Sequence, residues 1–350
     1  MKKIKDIKNI TNKFKNELGF VNSKALEAAE LRGELELIDG VGFCHFHHRL
    51  DTTTTIYEIA VLRQRQREGW GRLLFYRVLA SAIEHKKSKI VVKCPVHLES
   101  NGFYQSLGFK LIKVDPGRKR RLNIYEYNIQ SPLLFYCADG GRNRYSQIAK
   151  EEGWLLGLRS DQYNKKNSHC PMIDNNWKEY NHSKHLELIK KCKPLLATAL
   201  DIESVDQYNE ILSMAQEISK YCGRVILIPK CKIDLNIINF PFWLGFSVPT
   251  KYGGTELNID FFKDYPTHLL GGSPSKQSYF SKHMHVLSLD GNYSQNVARF
   301  GKTVYPGCDS GKKIVKGNYE SFRLSLRKQK QFWHSTWKWE DEPLAKLMLD

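Results

Sequence analysis

The sequence predicts an α/β protein of two domains, a mixed sheet-and-helix domain over residues 1–130 and a parallel α/β barrel over residues 131–350. Its 350 residues are too many for one comfortable hydrophobic core. Its pattern also changes near residue 130, from short alternating elements to a series of buried apolar runs separated by helical stretches. Such a series is typical of a parallel sheet covered by helices, either open or closed.

In the first domain the helical segment 21–31, with Ser23 as its N-cap, precedes every strand. Helical periods also mark the segments 73–84 and 102–107. The predicted strands are apolar segments bounded by turn residues, at 34–38, 41–48, 56–62, 89–93, 109–114 and 123–129. Strands and helices therefore alternate within one small mixed sheet.

In the second domain the apolar runs predict seven or eight parallel strands. These runs lie at 133–138, 154–158, 195–200, 224–229, 242–246, 267–270 and 285–289, with 302–305 as the eighth. Helical stretches lie between them, at 146–152, 183–191, 205–221, 260–262 and 294–300. Strands joined in this way by helices favour a TIM-barrel-like domain.

The composition is that of an ordinary soluble globular protein, 41% apolar and 26% charged. No run approaches the roughly 18 apolar residues that a membrane span needs, which excludes an integral membrane protein. The basic start, residues 1–6, has no apolar core behind it, so we expect no secretion. The eight cysteines are scattered without a Cys-x-x-Cys pair, which predicts free thiols in a reducing cytoplasm.

The formal net charge of +17 is shared by both halves of the chain. A positive field favours polyanionic partners, and we expect nucleic acid (DNA rather than RNA), a nucleotide or base substrate, or the phosphates of coenzyme A. An AT-rich genome would also enrich lysine without any such function. The sequence predicts no membrane partner and does not indicate an oligomeric state.

A glycine-bearing turn follows the third predicted strand, in the pattern Gln66-x-x-Gly69-x-Gly71. Glycines at such a turn let backbone N–H groups close on a phosphate at the positive end of a helix. The flanking Arg67 and Arg72 add positive charge. About thirty residues later comes a second motif, Asn101-Gly102-Phe103-Tyr104-x-x-Leu107-Gly108-Phe109.

Together these two motifs resemble the GNAT acetyltransferase superfamily over about residues 20–130. The resemblance implies a mixed α+β sheet and acetyl-CoA as the cofactor. It implies that the cofactor is held by Leu62, Gln66, Arg67, Gly69, Gly71, Arg72 and Asn101. It also implies that Tyr104 is the acid that protonates the departing thiolate; the alternative for Tyr104 is an aromatic side chain packed in the core.

The general base must accept a proton from the attacking amine. Glu58, on the strand that enters the turn, is the first candidate, and Glu99 and His97 are others. Glu58 could equally be a solvated or salt-bridged strand residue. Lys93 stands where some members of the superfamily place a glutamate.

Polar residues follow the apolar runs of the second domain. The carboxyl ends of parallel barrel strands open on one face, where active sites form. An isolated aspartate there could instead cap a helix. The candidates at these ends are Asp139, Asp201, Lys230, Gly271, Gly272, Asp290 and Asn292.

Three segments of this domain resemble tRNA-guanine transglycosylases and the shorter DpdA-like proteins that insert 7-deazaguanines into DNA. They are Ala138-Asp139-Gly140-Gly141-Arg142, Thr267–Pro274 and Val286–Asn292. The resemblance implies that Asp139 acts as acid and base and that Asp290 is the nucleophile, two carboxylates that flank a glycosidic bond. It implies that Gly271 and Gly272 belong to a base-binding loop, and we predict from their places at the strand ends that Asp201, Lys230 and Asn292 also bind the substrate. Arg142 replaces the family's aromatic residue, and the family's zinc-binding cysteines are absent.

Two further segments have alternative interpretations. The group His45-Phe46-His47-His48 has metal-ligand side chains, but without acidic or cysteine partners nearby we predict no metal site. The basic and aromatic segment 328–339 fits either a nucleic-acid platform or a helix that docks its tryptophans into the core.

Three functions follow from these features. The first is a two-domain enzyme of phage or mobile-element origin that acylates and exchanges nucleic-acid bases. The second is a protein or small-amine N-acetyltransferase whose barrel only binds a substrate or nucleic acid. The third is a non-enzymatic nucleic-acid-binding module with a relic coenzyme A fold.

Overall fold

The computed structural model describes residues 2–18, 22–117, 120–137, 143–163, 170–251, 253–313 and 317–336. It contains two domains, a six-stranded mixed sheet followed by a closed eight-stranded parallel barrel. The predicted α/β fold class is therefore confirmed. Among the described helices none has the length and apolar character needed to cross a membrane.

The first domain begins with three helices, α1 (Lys2–Asn12), α2 (Lys15–Leu18) and α3 (Ser23–Leu31). The strands of its sheet are β1 (Leu35–Ile38), β2 (Gly42–His48), β3 (Thr53–Val61), β4 (Lys89–Pro95), β5 (Lys110–Asp115) and β6 (Leu122–Asn128). Two more helices complete the domain, α4 (Trp70–Glu84) between β3 and β4 and α5 (Ser100–Ser106) after β4. The strand order is β1-β2-β3-β4-β6-β5, and only β3 and β4 pair in parallel.

The barrel strands are β7 (Leu133–Cys137), β8 (Leu155–Arg159), β9 (Met172–Asp174), β10 (Leu196–Ile202), β11 (Arg224–Pro229), β12 (Phe242–Ser247), β13 (Thr267–Leu270) and β14 (Val286–Gly291). The helices between them are α6 (Arg144–Glu151), α7 (His182–Cys192), α8 (Val205–Ser219) and α9 (Pro274–Ser281). After the barrel come α10 (Tyr293–Ala298), a hairpin of β15 (Lys302–Tyr305) and β16 (Cys308–Lys313), and α11 (Asn318–Thr336). Trp333 of α11 is fully buried, which favours the docked-helix interpretation of this segment.

Three sequence-based expectations about elements were wrong. The segment 302–305 pairs with β16 instead of entering the barrel. The barrel strand that the sequence analysis missed is β9, whose three residues are too few to give a recognisable apolar run. The N-cap of α3 is Asn22 rather than Ser23, because the Asn22 side chain accepts the N–H of Lys24.

Candidate functional site

Strands β3 and β4 separate halfway along their length and open a gap in the first sheet. Their register runs from Thr53–Lys89 to Ile56–Val92, while both strands continue beyond it. Strand β3 also has one extra residue, Tyr57, because His45 pairs with Glu58 and Phe46 pairs with Ile56. Such a bulge turns the backbone and changes the direction of the side chains around it.

The glycine-bearing turn lies at the end of β3 and begins α4. Gly69 is the N-cap of α4 with φ +85°, a left-handed conformation that favours glycine. Gly71 faces Phe103, where an added Cβ would lie 3.1 Å from the ring. The side chains of Gln66 and Arg67 are exposed, and Gln66 donates to the Val61 carbonyl over 3.0 Å. The turn lies at the positive end of a 15-residue helix, and its two glycines are partly buried.

The three other predicted cofactor residues have protein partners in the structure. Leu62 is buried, and its N–H donates to the Val41 carbonyl. Arg72 donates to the Cys192 carbonyl of the barrel over 2.9 Å. The Asn101 amide donates to the carbonyls of Pro95, Val96 and Leu98, so its nitrogen stabilises the loop after β4.

Tyr104 extends from α5 into the core beside the gap. Its ring packs against Phe103, Phe109 and Tyr125, which agrees with the core alternative for its packing. Burial, and then the nearby thiols of Cys94 and Cys44, raises the pKa of Tyr104 well above its usual value. The phenol therefore keeps its proton at neutral pH and can donate it as a hydrogen bond.

Glu58 forms a close pair with His45 from the neighbouring strand. The Glu58 Oε2 atom lies 2.5 Å from His45 Nδ1, and both side chains are largely buried. A carboxylate on Nδ1 orients an imidazole and leaves its Nε2 available to accept a proton. Glu58 is thus neither solvated nor paired with a cation of fixed charge.

The other two candidates for the general base are not part of the His45–Glu58 pair, and neither are the histidines next to His45. Glu99 precedes α5, and His97 is exposed on the same loop. His47 contacts Glu34, and His48 contacts Thr54 and Ser81. The described residues include no group of three or more His, Cys, Asp or Glu side chains that could hold a metal ion.

In the barrel, Asp290 lies at the carboxyl end of β14, and one of its oxygens accepts the Gly271 N–H over 2.8 Å. Its charge acts on a second carboxylate, Asp174, at the end of β9. Burial, and then the charge of Asp290, raises the pKa of Asp174 to about 7. Thr198 donates its hydroxyl to Asp174 over 2.9 Å. Asp139 lies outside the described residues, so its pairing with Asp290 stays a prediction.

The remaining barrel candidates lie around the same carboxyl face. Asp201 and Lys230 form an ion pair of 3.3 Å. Burial raises the pKa of Asp201, against the effect of Lys230. Gly271 and Gly272 have φ of +64° and +83°, and Asn292 is exposed immediately after β14. The structure therefore brings these residues to one end of the barrel.

The opposite end of the barrel is covered by helix α4 of the first domain. Arg77 donates to the carbonyls of Ser219 and Lys220, just before β11. Glu84 accepts two hydrogen bonds from Arg224, at the amino end of β11, and one from Trp243 of β12. Strands of this length rise about 15–20 Å. The cofactor turn and the barrel carboxylates thus lie near opposite ends of the barrel.

Sequence reasoning missed three residues of these sites. Asp174 ends a strand too short to be recognised, although an aspartate after the apolar pair Met172–Ile173 matches the pattern at the other strand ends. His45 was considered only as a metal ligand, while its cross-strand neighbour Glu58 could have been found from the hairpin register. His268, fully buried inside the barrel, had no sequence signal beyond its place in an apolar run.

Two family models match the chain. The model of an acetyltransferase (GNAT) domain matches residues 30–111, which contain β1 to β4 and the glycine-bearing turn. The model of a family of unknown function (DUF6610) matches residues 149–334, just over half of the chain. A search of the curated proteins found no match.

Three of the solved structures similar to this chain each cover about a third of it. Ard1 from Thermoplasma volcanium is 17% identical over 37% of this chain and 92% of its own, with a TM-score of 0.34. The ribosomal-protein-S18-alanine N-acetyltransferase from Escherichia coli is 19% identical over 32% and 79%, with a TM-score of 0.27. An aminoglycoside 6'-N-acetyltransferase complexed with coenzyme A is 14% identical over 36% and 89%, with a TM-score of 0.31.

Proposed function

This chain belongs to the family of unknown function DUF6610 and carries an acetyltransferase (GNAT) domain, and we propose that it transfers an acetyl group from acetyl-CoA and modifies nucleic-acid bases. The observation that supports acetyl transfer is the glycine-bearing turn beside the gap between β3 and β4. The turn fits a diphosphate because its helix end is positive and its flanking residues Arg67 and Arg72 are basic. Beyond Ile56 and Val92 the two strands no longer pair, and we propose that an extended part of the cofactor lies between them.

When bound, acetyl-CoA supplies the activated acetyl group. The His45–Glu58 pair accepts the proton that the amine acceptor loses as its nitrogen bonds to the acetyl carbon. With acetyl-CoA bound, the Tyr104 hydroxyl would donate its proton toward the departing sulfur as the carbon–sulfur bond breaks. Each proton thus has a defined donor and acceptor among the side chains beside the gap.

A Gly69→Ala variant tests the cofactor site. We expect acetyl-CoA binding, measured by titration calorimetry, to weaken about tenfold or more, because alanine is strained at φ +85° and would shift the turn. Gly33→Ala is a matched control, since Gly33 has φ +71° in open space away from the turn. Equal affinity in all three proteins, or no binding to the unmodified chain, would contradict the proposal.

The observation that favours base chemistry in the barrel is the carboxylate pair Asp174 and Asp290. At neutral pH one member can hold a proton while the other is ionised, the division of roles that glycosidic-bond chemistry needs. In the proposed step Asp290 bonds to the sugar C1′ as the C1′–N bond breaks, and Asp174 gives its proton to the departing base. An incoming base reverses these bonds and displaces Asp290.

The proposed substrate is a base in DNA, with RNA as the alternative, in the cytoplasm of a phage-bearing or mobile-element-bearing cell. The net charge of +17 supports a polyanionic partner. A base in a duplex must leave the stack before it reaches buried carboxylates. Asp174→Asn and Asp290→Asn should each abolish a modified nucleoside in cellular nucleic acid, and its persistence in both variants would contradict this assignment.

A further inference from the structure

His268 is buried inside the barrel directly beneath Asp290. It lies on β13 opposite Ser288 of β14, and its ring has no exposed surface. Its Nδ1 atom is 2.7 Å from Ser288 Oγ. Its Nε2 atom has no hydrogen-bond partner among the described residues and lies 3.8 Å from Asp290 Oδ1. An unpartnered buried nitrogen aimed at a carboxylate needs an explanation, because such atoms are rare in folded proteins.

The charge state of His268 limits where its proton can be. Burial lowers the pKa of His268 to about 4, although Asp290 opposes this shift, so the ring is neutral at pH 7 and carries one N–H. If Nδ1 carried the proton, the lone pair of Nε2 would face an ionised carboxylate. If Ser288 donates to Nδ1, the proton is on Nε2 and faces the carboxylate favourably. Electrostatic complementarity therefore selects the Nε2–H form.

We propose that His268 is a positioning residue for Asp290, a role that rests on the proposed carboxylate chemistry of the barrel. Its Nε2–H and the Gly271 N–H both face Oδ1 of Asp290, so this oxygen is retained against β13. The other oxygen, Oδ2, is then the one presented to the substrate. The separation of 3.8 Å is too long for a hydrogen bond, and a movement of less than about 1 Å closes it.

His268 also determines which carboxylate of the pair holds the proton. Within the described part of the chain, the groups that interact with Asp290 include Asp174 on β9, the Cys137 thiol on β7 and His268 on β13. Asp174 repels a charge on Asp290, whereas the N–H groups of His268 and Gly271 favour it. With His268 in place, the proton of the pair is on Asp174, whose pKa is raised by burial and by the charge of Asp290.

Nuclear magnetic resonance of the full chain tests this without a substrate. With ¹⁵N-histidine, long-range spectra should show His268, assigned with His268→Gln, as a neutral Nε2–H ring from pH 5 to 8. With ¹³C-labelled aspartate, assigned with Asp174→Asn and Asp290→Asn, His268→Phe should raise the pKa of Asp290 by about one unit, tenfold in its protonation equilibrium. His285→Phe is the control, because His285 also has an unpartnered Nε2 but precedes β14 at the opposite end of the barrel.

An Nδ1–H or doubly protonated His268 at neutral pH would overturn the inference, and this measurement needs no variant that alters the core. An unchanged Asp290 titration in a folded His268→Phe protein would also overturn it. If that variant does not fold, His268→Gln is used in its place. We expect Asp290 to titrate in this variant as in the unmodified protein, because glutamine keeps an N–H donor. The NMR experiments could give the expected tautomer and titration while cells contain no modified nucleoside. That combination would contradict the proposed base chemistry but would still support the electrostatic role of His268.

Discussion

A Tyr104→Phe variant should transfer acetyl groups about 10²- to 10⁴-fold more slowly than the unmodified protein, the range typical of a lost general acid. Phenylalanine keeps the ring contacts with Phe103, Phe109 and Tyr125 and removes only the hydroxyl. The departing sulfur then lacks its proton donor, while acetyl-CoA binding at the turn is unchanged. The measurement is release of the coenzyme A thiol with a panel of small primary amines and amine-bearing nucleosides, beside calorimetry for binding.

Tyr127→Phe is the matched control for this experiment. Burial also raises the pKa of Tyr127, to about 12, and the ring of Tyr127 packs against Phe75 and Phe109. We expect its thiol release to match that of the unmodified chain. Equal rates for Tyr104→Phe and Tyr127→Phe would show that Tyr104 only fills the core.

A Glu84→Gln variant should lose about 3–5 kcal/mol of unfolding free energy, because it leaves the buried Arg224 without its anionic partner. Burial by itself would raise the pKa of Glu84, but the charge and hydrogen bonds of Arg224 lower it, so the pair is ionised. The pair joins α4 to the amino ends of two barrel strands. Both domains should therefore unfold at lower denaturant concentration, measured by circular dichroism and tryptophan fluorescence.

Glu126→Gln is the control for Glu84, since Glu126 forms a partly exposed ion pair of 3.2 Å with Lys89 inside one domain. Removal of such a pair changes stability by about 1 kcal/mol or less. If Glu84→Gln were no more destabilising than Glu126→Gln, the contact between α4 and the barrel would not stabilise the protein as the structure indicates.

The sequence predicted the fold where apolar periods and glycines were strong. Seven barrel strands and the glycine-bearing turn were recognisable because long apolar runs and a turn at a helix start are local features. The strand β9 was not, because its three residues carry too little pattern and its position is set by pairing with β8 and β10. Asp174 was missed for that reason, and Asp139 was chosen from its place after an apolar run and from a resemblance.

Side-chain pairs that depend on tertiary contacts could not be predicted from the sequence. The pair of His45 and Glu58 depends on the register of β2 with β3, including the bulge at Tyr57. The placement of the two candidate sites depends on α4, which covers one end of the barrel through Arg77 and Glu84. The interior of the barrel is filled by buried side chains such as Phe135, Ile226 and Trp243. A base that is bound at the barrel carboxylates therefore cannot reach the acetyl group in the first domain at the same time.

The most direct test of the account is mass spectrometry of nucleosides from cells that express the unmodified chain, Tyr104→Phe or Asp290→Asn, grown with ¹³C-labelled acetate. The account predicts a nucleoside that carries the labelled acetyl group in hydrolysed DNA or RNA from cells with the unmodified chain. That nucleoside should be absent with Asp290→Asn and depleted of label with Tyr104→Phe. Identical nucleoside profiles, in both polymers, with and without the unmodified chain would contradict the account.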